Sequence, residues 1–313
     1  MRAIGINEFG GPEVLEVVEI PSPEPGEGQI RIRVHAACVN PADVMFRKGL
    51  LAARLEAFSA PYIAGMDAAG VVDAVGPGVD DRLAIGDRVA CVPLPTVTGG
   101  SYAEQILVPA ASAVKIPDSL DFAPASTLLM NALTARIALD ALGLAAGETV
   151  AVTGAAGALG AYVVQLAVAD GLTVVADAAP KDEELVRSLG ASVVVPRGDG
   201  FVDAVRAAYP DGVNGLVDGA NLTDSVVGAI ADNGGFTTVK AWGGPVDRGI
   251  ELHSVLVARS AGDTAAMERL VEQAESGALT LRVADVVPAA EAPEAHRRME
   301  AGGLRGRIVL DFS

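Results

Sequence analysis

Cysteine, histidine and aromatic residues are scarce in this chain, and each scarcity closes off a class of protein. Two cysteines, Cys38 and Cys91, and three scattered histidines, His35, His253 and His296, are too few and too dispersed for a four-ligand structural zinc knuckle. Each cysteine lies in an apolar, β-like run, where a thiol behaves as a small buried hydrophobe. Aromatics make up only 4% of the residues, so a core must be built mainly from Ala, Val and Leu. Basic residues are outnumbered, 23 against 40 acidic ones, for a net charge of −17. Phosphate neutralisation needs Lys and Arg, so nucleic acid is excluded as an expected partner. The pair Arg297-Arg298 sits among Ala and Glu and reads as a solvated helix face. There is no secretory h-region in the opening MRAIGINEFG, and no apolar run of membrane-spanning length free of charge or turn residues. A soluble, cytoplasmic protein with no membrane partner is the resulting expectation.

What is present is length, apolar content and glycine. A chain of 313 residues, half of them apolar, favours about two domains. The 36 glycines have no three-residue period and cluster at turns. Up to about residue 120, short β-like runs (Ile30–Val34, Gly70–Val75, Asp87–Val92) alternate with Gly/Pro turns, the pattern of a compact barrel or sandwich. Ala42–Phe58 holds one or two short helices. Beyond Pro117 the period changes. Phe122–Leu142 reads as a helix stopped at Gly143, and strands then alternate with helices. Strands are expected at Thr149–Thr153, Leu172–Ala176, Ser192–Val195, Gly215–Asp218 and Phe236–Val239. Helices are expected from Leu159 to Asp170 and over Lys181–Leu189, Gly200–Tyr209 and Thr223–Ala231. That alternation makes a doubly wound parallel sheet. In the tail, Thr264–Ser276 and Glu291–Ala301 read as helices and Arg307–Phe312 as a final strand.

One segment carries chemistry. In Val150-Ala-Val-Thr-Gly154-Ala-Ala-Gly157-Ala-Leu-Gly160, a strand, a glycine turn and a helix follow in immediate succession. Gly154 opens the turn, Gly157 lets the main chain approach a pyrophosphate, and Gly160 allows helix and strand to pack closely. Ala155, Ala158 and Leu159 complete the loop, and the helix N-terminus offers N–H groups to the phosphates. A three-glycine loop alone is weak evidence, since a tight βα turn needs glycine for steric reasons; here it opens a complete βαβ unit. The adenosine ribose should meet the end of the next strand, where Asp177 stands. Its carboxylate would favour NAD(H), whereas Lys181 or Arg197, at the next strand exits, would hold the 2′-phosphate of NADP(H).

These features resemble the medium-chain dehydrogenase/reductase superfamily, in its zinc-independent quinone oxidoreductase (zeta-crystallin-like) branch. The resemblance runs nearly end to end, through Phe9-Gly-Gly-Pro12, Val39-Asn40-Pro41-Ala42-Asp43, Gly65-Met66-Asp67-Ala68-Ala69-Gly70, Gly86-Asp87-Arg88-Val89, the 154–160 loop with Gln165-Leu166-Ala167, and Gly306-Arg307-Ile308-Val309-Leu310. It implies an α/β protein: a GroES-like β-barrel catalytic domain (1–121, completed by 265–313) with a Rossmann doubly wound parallel-sheet domain (122–264) inserted. Zinc-dependent relatives use a Cys and a His as ligands. Here Asn40 or its neighbours and Met66 stand at those places and the structural zinc lobe is missing, so no metal is expected.

By the same resemblance, Asn40 should lie beside nicotinamide and substrate as the catalytic candidate, orienting or polarising a carbonyl. A purely structural Asn in a strand-end turn is the competing reading. Met45, Tyr62 and Met66 join Asn40 as the expected substrate contacts, and Met45 replaces a Tyr usual in relatives. Thr134 should contact the carboxamide, and Ala220, Asn221, Val239 and Ala241 should line the cofactor at later strand exits. Asp43, Asp67 and Asp87 read better as turn-forming or barrel-bracing carboxylates than as catalysts. The expected activity is NADPH-dependent hydride transfer, with NAD(H) as the alternative cofactor, to a small apolar quinone or α,β-unsaturated carbonyl bound in the cleft between domains. A biosynthetic enoyl reductase and a catalytically silent redox sensor are the rivals. Relatives pair as homodimers through the outer edge of the Rossmann sheet, a role open here to Ser254–Ala258.

Overall fold

The computed structural model describes every residue except Glu56 and Ala241. The chain forms two compact units, one of residues 1–130, 258–275 and 281–313, the other of residues 131–257 and 276–280. The first begins with β1 (Arg2–Ile6), β2 (Leu15–Glu19), β3 (Gln29–Cys38), α1 (Pro41–Arg47), β4 (Tyr62–Ile63), β5 (Ala68–Val75), β6 (Arg88–Cys91), β7 (Gln105–Pro109) and β8 (Ala113–Lys115). The longest, β3, shows why they are strands. Ile30, Ile32 and Val34 are buried while Arg31 and Arg33 point away, and each buried aliphatic side chain contributes roughly 1.5–3 kcal/mol. Arg31 stays out by pairing with Asp73 at 2.7 Å.

The expected helix 122–142 is two helices, α2 (Phe122–Ala125) and α3 (Leu129–Leu142). Between them the hydroxyls of Ser126 and Thr127 donate to the carbonyls of Ala123 and Pro124, competing with the helical ladder. The stretch is long and apolar enough to cross a membrane by composition alone, with a mean hydropathy of 1.2, but most of it is buried inside the protein.

In the second unit come β9 (Thr149–Thr153), α4 (Ala158–Ala169), β10 (Thr173–Ala178), α5 (Glu183–Ser188), β11 (Val193–Pro196), α6 (Phe201–Ala208), β12 (Val213–Asp218), α7 (Asp224–Val227), β13 (Ile230–Thr238) and β14 (Glu251–Ser254). The strands pair in parallel in the order β11-β10-β9-β12-β13-β14. The order reverses between β9 and β12, and in such sheets ligands bind beyond the carboxyl ends of the strands at that point.

Two expectations are corrected here. The helix Thr223–Ala231 is reduced to the single turn of α7, because its last residues belong to β13, which starts at Ile230 opposite Val213 of β12, whose N–H donates to Ala229 O. The Arg206 guanidinium donates to Gly228 O and Ile230 O, and that of Arg248 to Val227 O and Ile230 O, at 2.8–3.0 Å. The edge strand lies at Glu251–Ser254, and Val257–Arg259 downstream of it is a short 3₁₀ turn.

The tail adds α8 (Thr264–Glu275), β15 (Val283–Pro288), α9 (Ala292–Ala301) and β16 (Arg307–Asp311). Strand β16 pairs antiparallel with β3, placing Val309 opposite Cys38, and parallel with β15. The C-terminal strand β16 therefore joins the sheet begun near the N-terminus.

Candidate active site

The glycine loop joins β9 to α4. Gly154 has φ +68°, a left-handed conformation that glycine adopts without strain. At Gly160 the constraint is space: a Cβ there would lie 2.2 Å from the Gly154 carbonyl oxygen and 2.7 Å from the Ala155 Cα. Only hydrogen at this position lets α4 descend onto the loop. Gly157 is the residue before the first turn of α4, and helix geometry leaves the N–H groups of that turn, at Ala158, Leu159 and Gly160, without partners inside the helix. These are the donors and the positive dipole end that a pyrophosphate needs.

Carboxylates on the strands flanking β9 hold this loop. From β10, Asp177 Oδ1 accepts the Ala155 N–H at 2.9 Å. Its side chain is nearly sequestered (4% exposed), and burial pushes its pKa up while the loop N–H groups and Arg197 pull it down. The residue expected to read the ribose is thus also a brace for the turn. From β12, the fully buried Asp218 accepts the Thr153 hydroxyl at 2.7 Å, the Thr223 N–H at 2.8 Å and the Ala220 N–H at 3.3 Å. Asp218 was not singled out from the sequence, though an acid closing a strand at a βα turn is the available signal. Asp218→Ala would leave these donors without their acceptor, and a loss of about 2–4 kcal/mol in urea unfolding is expected.

Several other expected cofactor contacts follow strands at the same end of the sheet. Ala220 and Asn221 follow β12, with Asn221 at φ +58°, and Val239 follows β13. Lys181 and Arg197 are exposed beyond β10 and β11. Thr134 is half-buried on α3, and Ala241 lies outside the described residues.

In the barrel unit, Asn40 is the cap of α1 and is almost fully buried, at 2% exposure. Its side chain accepts the Asp43 main-chain N–H, and its own N–H donates to Asp43 Oδ2 at 2.8 Å, a reciprocal capping box. The Asn40 side chain also helps stabilise the buried Asp67 carboxylate, which accepts the Met130 N–H. Tyr102 and His296, neither anticipated from the sequence, stand behind Asp43. The Tyr102 hydroxyl is 3.3 Å from Asp43 Oδ2 and 3.2 Å from His296 Nε2. Burial pushes Asp43 up to about 7, and burial with the nearby Arg47 pushes His296 down to about 3.

The expected substrate contacts differ in setting. Tyr62 stacks on Phe9 with ring centroids 5.2 Å apart, Met45 is 45% exposed on α1, and Met66 is buried in the barrel core. Asp87 accepts the Ala84 N–H and pairs with Lys115, so it acts in a turn. Both cysteines are buried with their thiol pKa values pushed up. Among the described residues, no group of three or more His, Cys, Asp or Glu could hold a metal ion.

The profile of the alcohol dehydrogenase GroES-like domain matches residues 26–118, and that of the zinc-binding dehydrogenase domain matches residues 189–310. Quinone oxidoreductase of Mus musculus is 33% identical over 257 residues, covering 79% of this chain and 75% of the relative. The chain belongs to the quinone oxidoreductase branch of the medium-chain dehydrogenase/reductase superfamily. Quinone oxidoreductase of Rattus norvegicus is 36% identical over 70% of this chain, a match spanning just under two thirds of the relative, 66%. Among solved structures, mycobacterial Rv1454c complexed with NADPH is 30% identical, superposes with a TM-score of 0.87, and is covered over 100% of its length by 99% of this chain. The family's α/β architecture, a GroES-like unit with a Rossmann sheet, is the one described above.

Proposed function

We propose that this member of the branch is an NADPH-dependent reductase of quinones or α,β-unsaturated carbonyl compounds. The observation that carries the reading is the glycine loop: a close-packed turn with an open helix N-terminus, at the reversal point of a parallel sheet, in a chain resembling a protein solved with NADPH. Bound there, the dinucleotide supplies a hydride from nicotinamide C4 to an electron-poor carbon or quinone. The chain's own task is to bind, orient and exclude water. Gly157 and the N–H groups of residues 158–160 would hold the pyrophosphate. Ala220, Asn221 and Val239 would flank the rest, and Thr134 would meet the carboxamide. Asn40 is the proposed group polarising the substrate carbonyl, and a reduced quinone or enone takes its proton from solvent.

Lys181 and Arg197 are the proposed contacts of the 2′-phosphate, being the exposed cations at the strand exits beside Asp177. Arg197→Ala is expected to weaken NADPH binding about tenfold, one charge-assisted contact, while leaving NADH binding within about twofold. Fluorescence titration with both nucleotides checks this, and equal losses for the two would remove Arg197 from the phosphate site.

The protein as a whole is tested by adding 9,10-phenanthrenequinone or a simple enone to the NADPH-loaded form and following reduced-nicotinamide absorbance. Oxidation dependent on either acceptor supports the reading, and the better acceptor decides between quinone and enoyl chemistry. Binding without oxidation by any acceptor would favour a silent sensor. We further propose a homodimer formed through β14, the edge of the Rossmann sheet, since an open edge strand invites pairing. Light scattering that returned the single-chain mass of 31.7 kDa would rule it out.

A further inference from the structure

The barrel unit buries more polar chemistry beside Asn40 than a seven-residue helix needs. An ordinary capping box is solvent-exposed and contributes about 0.5–2 kcal/mol. Here the box carboxylate, Asp43, is completely buried. Behind it stand two further buried polar groups, Tyr102 from the segment before β7 and His296 from α9. Each must be stripped of water to be there, so a cap alone does not account for them.

The hydrogen bonds run in one direction. Asp43 Oδ2 accepts from the Asn40 N–H at 2.8 Å and from the Tyr102 O–H at 3.3 Å. With its proton committed to Asp43, the Tyr102 oxygen can only accept from His296, so His296 donates through Nε2. That tautomer leaves Nδ1, which has no hydrogen-bond partner among the described residues, as a bare acceptor; the other tautomer would leave a bare N–H there. The rings of Tyr102 and His296 meet edge to face, with centroids 5.8 Å apart, which locks both orientations. Around this chain stand Arg307, Arg47, Glu300, Asp67 and Cys38, with the cation Arg307 favouring charge on both Asp43 and Asp67. Three separate elements thus converge on the Asp43 carboxyl, which holds the main-chain N–H of Asn40 and also takes one from Gly65.

We propose that Asp43, backed by Tyr102 and His296, is a positioning residue for Asn40, holding its main chain and hence its amide in the orientation used for the hydride transfer. This rests on the reading of Asn40 as the polarising group. Asp43 touches neither substrate nor cofactor in this role and acts on catalysis through Asn40, its bond from the Gly65 main chain serving only to fix the carboxyl. Its effect therefore falls on kcat and vanishes once the Asn40 amide is gone.

A double-mutant cycle on the full chain, assayed with NADPH and 9,10-phenanthrenequinone, tests it. Asn40→Ala is expected to lower kcat about 100-fold, the size of one lost polarising contact. Asp43→Asn is expected to lower kcat about tenfold, with KM changed less than threefold, because only the orientation is relaxed. NADPH affinity, read by nicotinamide fluorescence without turnover, should stay within about twofold. The double variant should be no slower than Asn40→Ala, since residues acting as a unit are non-additive. Multiplying effects, or an Asp43→Asn enzyme with unchanged kcat, would overturn the proposal. If Asp43→Asn does not fold, Tyr102→Phe decides: a threefold or so fall in kcat, absent in the Asn40→Ala background, supports the chain, whereas an unchanged kcat refutes it. An Asn40→Ala enzyme with wild-type kcat would instead sink the reading of Asn40, and the positioning role with it.

Discussion

Gly160→Val is expected to abolish NADPH binding and to cost the fold about 3 kcal/mol or more. The first atom of any side chain at this position would sit 2.2 Å from the Gly154 carbonyl oxygen and 2.7 Å from both the Gly154 carbonyl carbon and the Ala155 Cα. All three are main-chain atoms, so no rotamer change relieves the contact. Nor can the loop step aside: Asp177 holds the Ala155 N–H from one neighbouring strand, and Asp218 holds Thr153 and Ala220 from the other. The remaining adjustment is for α4 to lift off β9. That would open the packing of a helix buried continuously from Gly160 to Ala167, and would withdraw the N–H groups of its first turn from any phosphate. A loss of affinity of at least 100-fold, about 2.7 kcal/mol, is the expected reading in a fluorescence titration. Gly157→Ala is the matched control, since its Cβ would meet only the Gly154 oxygen, at 3.1 Å. It should shift the unfolding midpoint far less. A Gly160→Val protein that bound NADPH within threefold of wild type would mean that the dinucleotide is held elsewhere.

The glycine loop is a local steric requirement: a strand, a tight turn and a close-packed helix demand glycine at fixed offsets whatever surrounds them. The βα alternation is legible on the same ground, because hydrophobic period depends on neighbours in the chain. The helix expected at Thr223–Ala231 has the right local pattern and still fails. Its last residues are drawn into β13, which pairs from Ile230 with Val213 of β12, and the distant guanidinium groups of Arg206 and Arg248 hold Ile230 O there. Asp177 illustrates the same limit at the site. Its place at the end of β10 could be read from spacing, but its bond to the Ala155 N–H, 22 residues back, is a property of the folded sheet. The Asp43–Tyr102–His296 chain lies furthest from local inference, since Tyr102 and His296 are 194 residues apart. A lone histidine on a helix whose other inward residues are Ala292 and Ala295 gives no hint of a partner in the first third of the chain.

The same buried chain makes the pH dependence of stability a sharp test, because its two titrating ends have opposite signs. Burial pushes Asp43 up to about 7, against about 3.9 in an unfolded chain. The folded protein thus keeps a proton that the unfolded chain has released. The stability Asp43 contributes is fully present below about pH 4 and is lost as pH rises toward 7, with a limiting slope of about 1.4 kcal/mol per pH unit. His296 is pushed down to about 3 by burial and Arg47, against about 6.5 when unfolded. Its contribution is present above about pH 6.5 and is lost as pH falls toward 3. Urea unfolding between pH 4 and 7 should therefore show Asp43→Asn gaining stability relative to wild type as pH rises. His296→Gln should gain relative to wild type as pH falls through the same range. Asp67 beside Asp43 is also pushed up, by burial and by its neighbour's charge, so the two carboxyls titrate as a pair and the Asp43→Asn curve carries the same sign for both. Opposite slopes in the two difference curves would establish that both groups are buried and uncharged over most of the range. Flat or parallel curves would show that neither end of the chain is desolvated, and the positioning of Asn40 through a buried carboxylate would lose its physical basis.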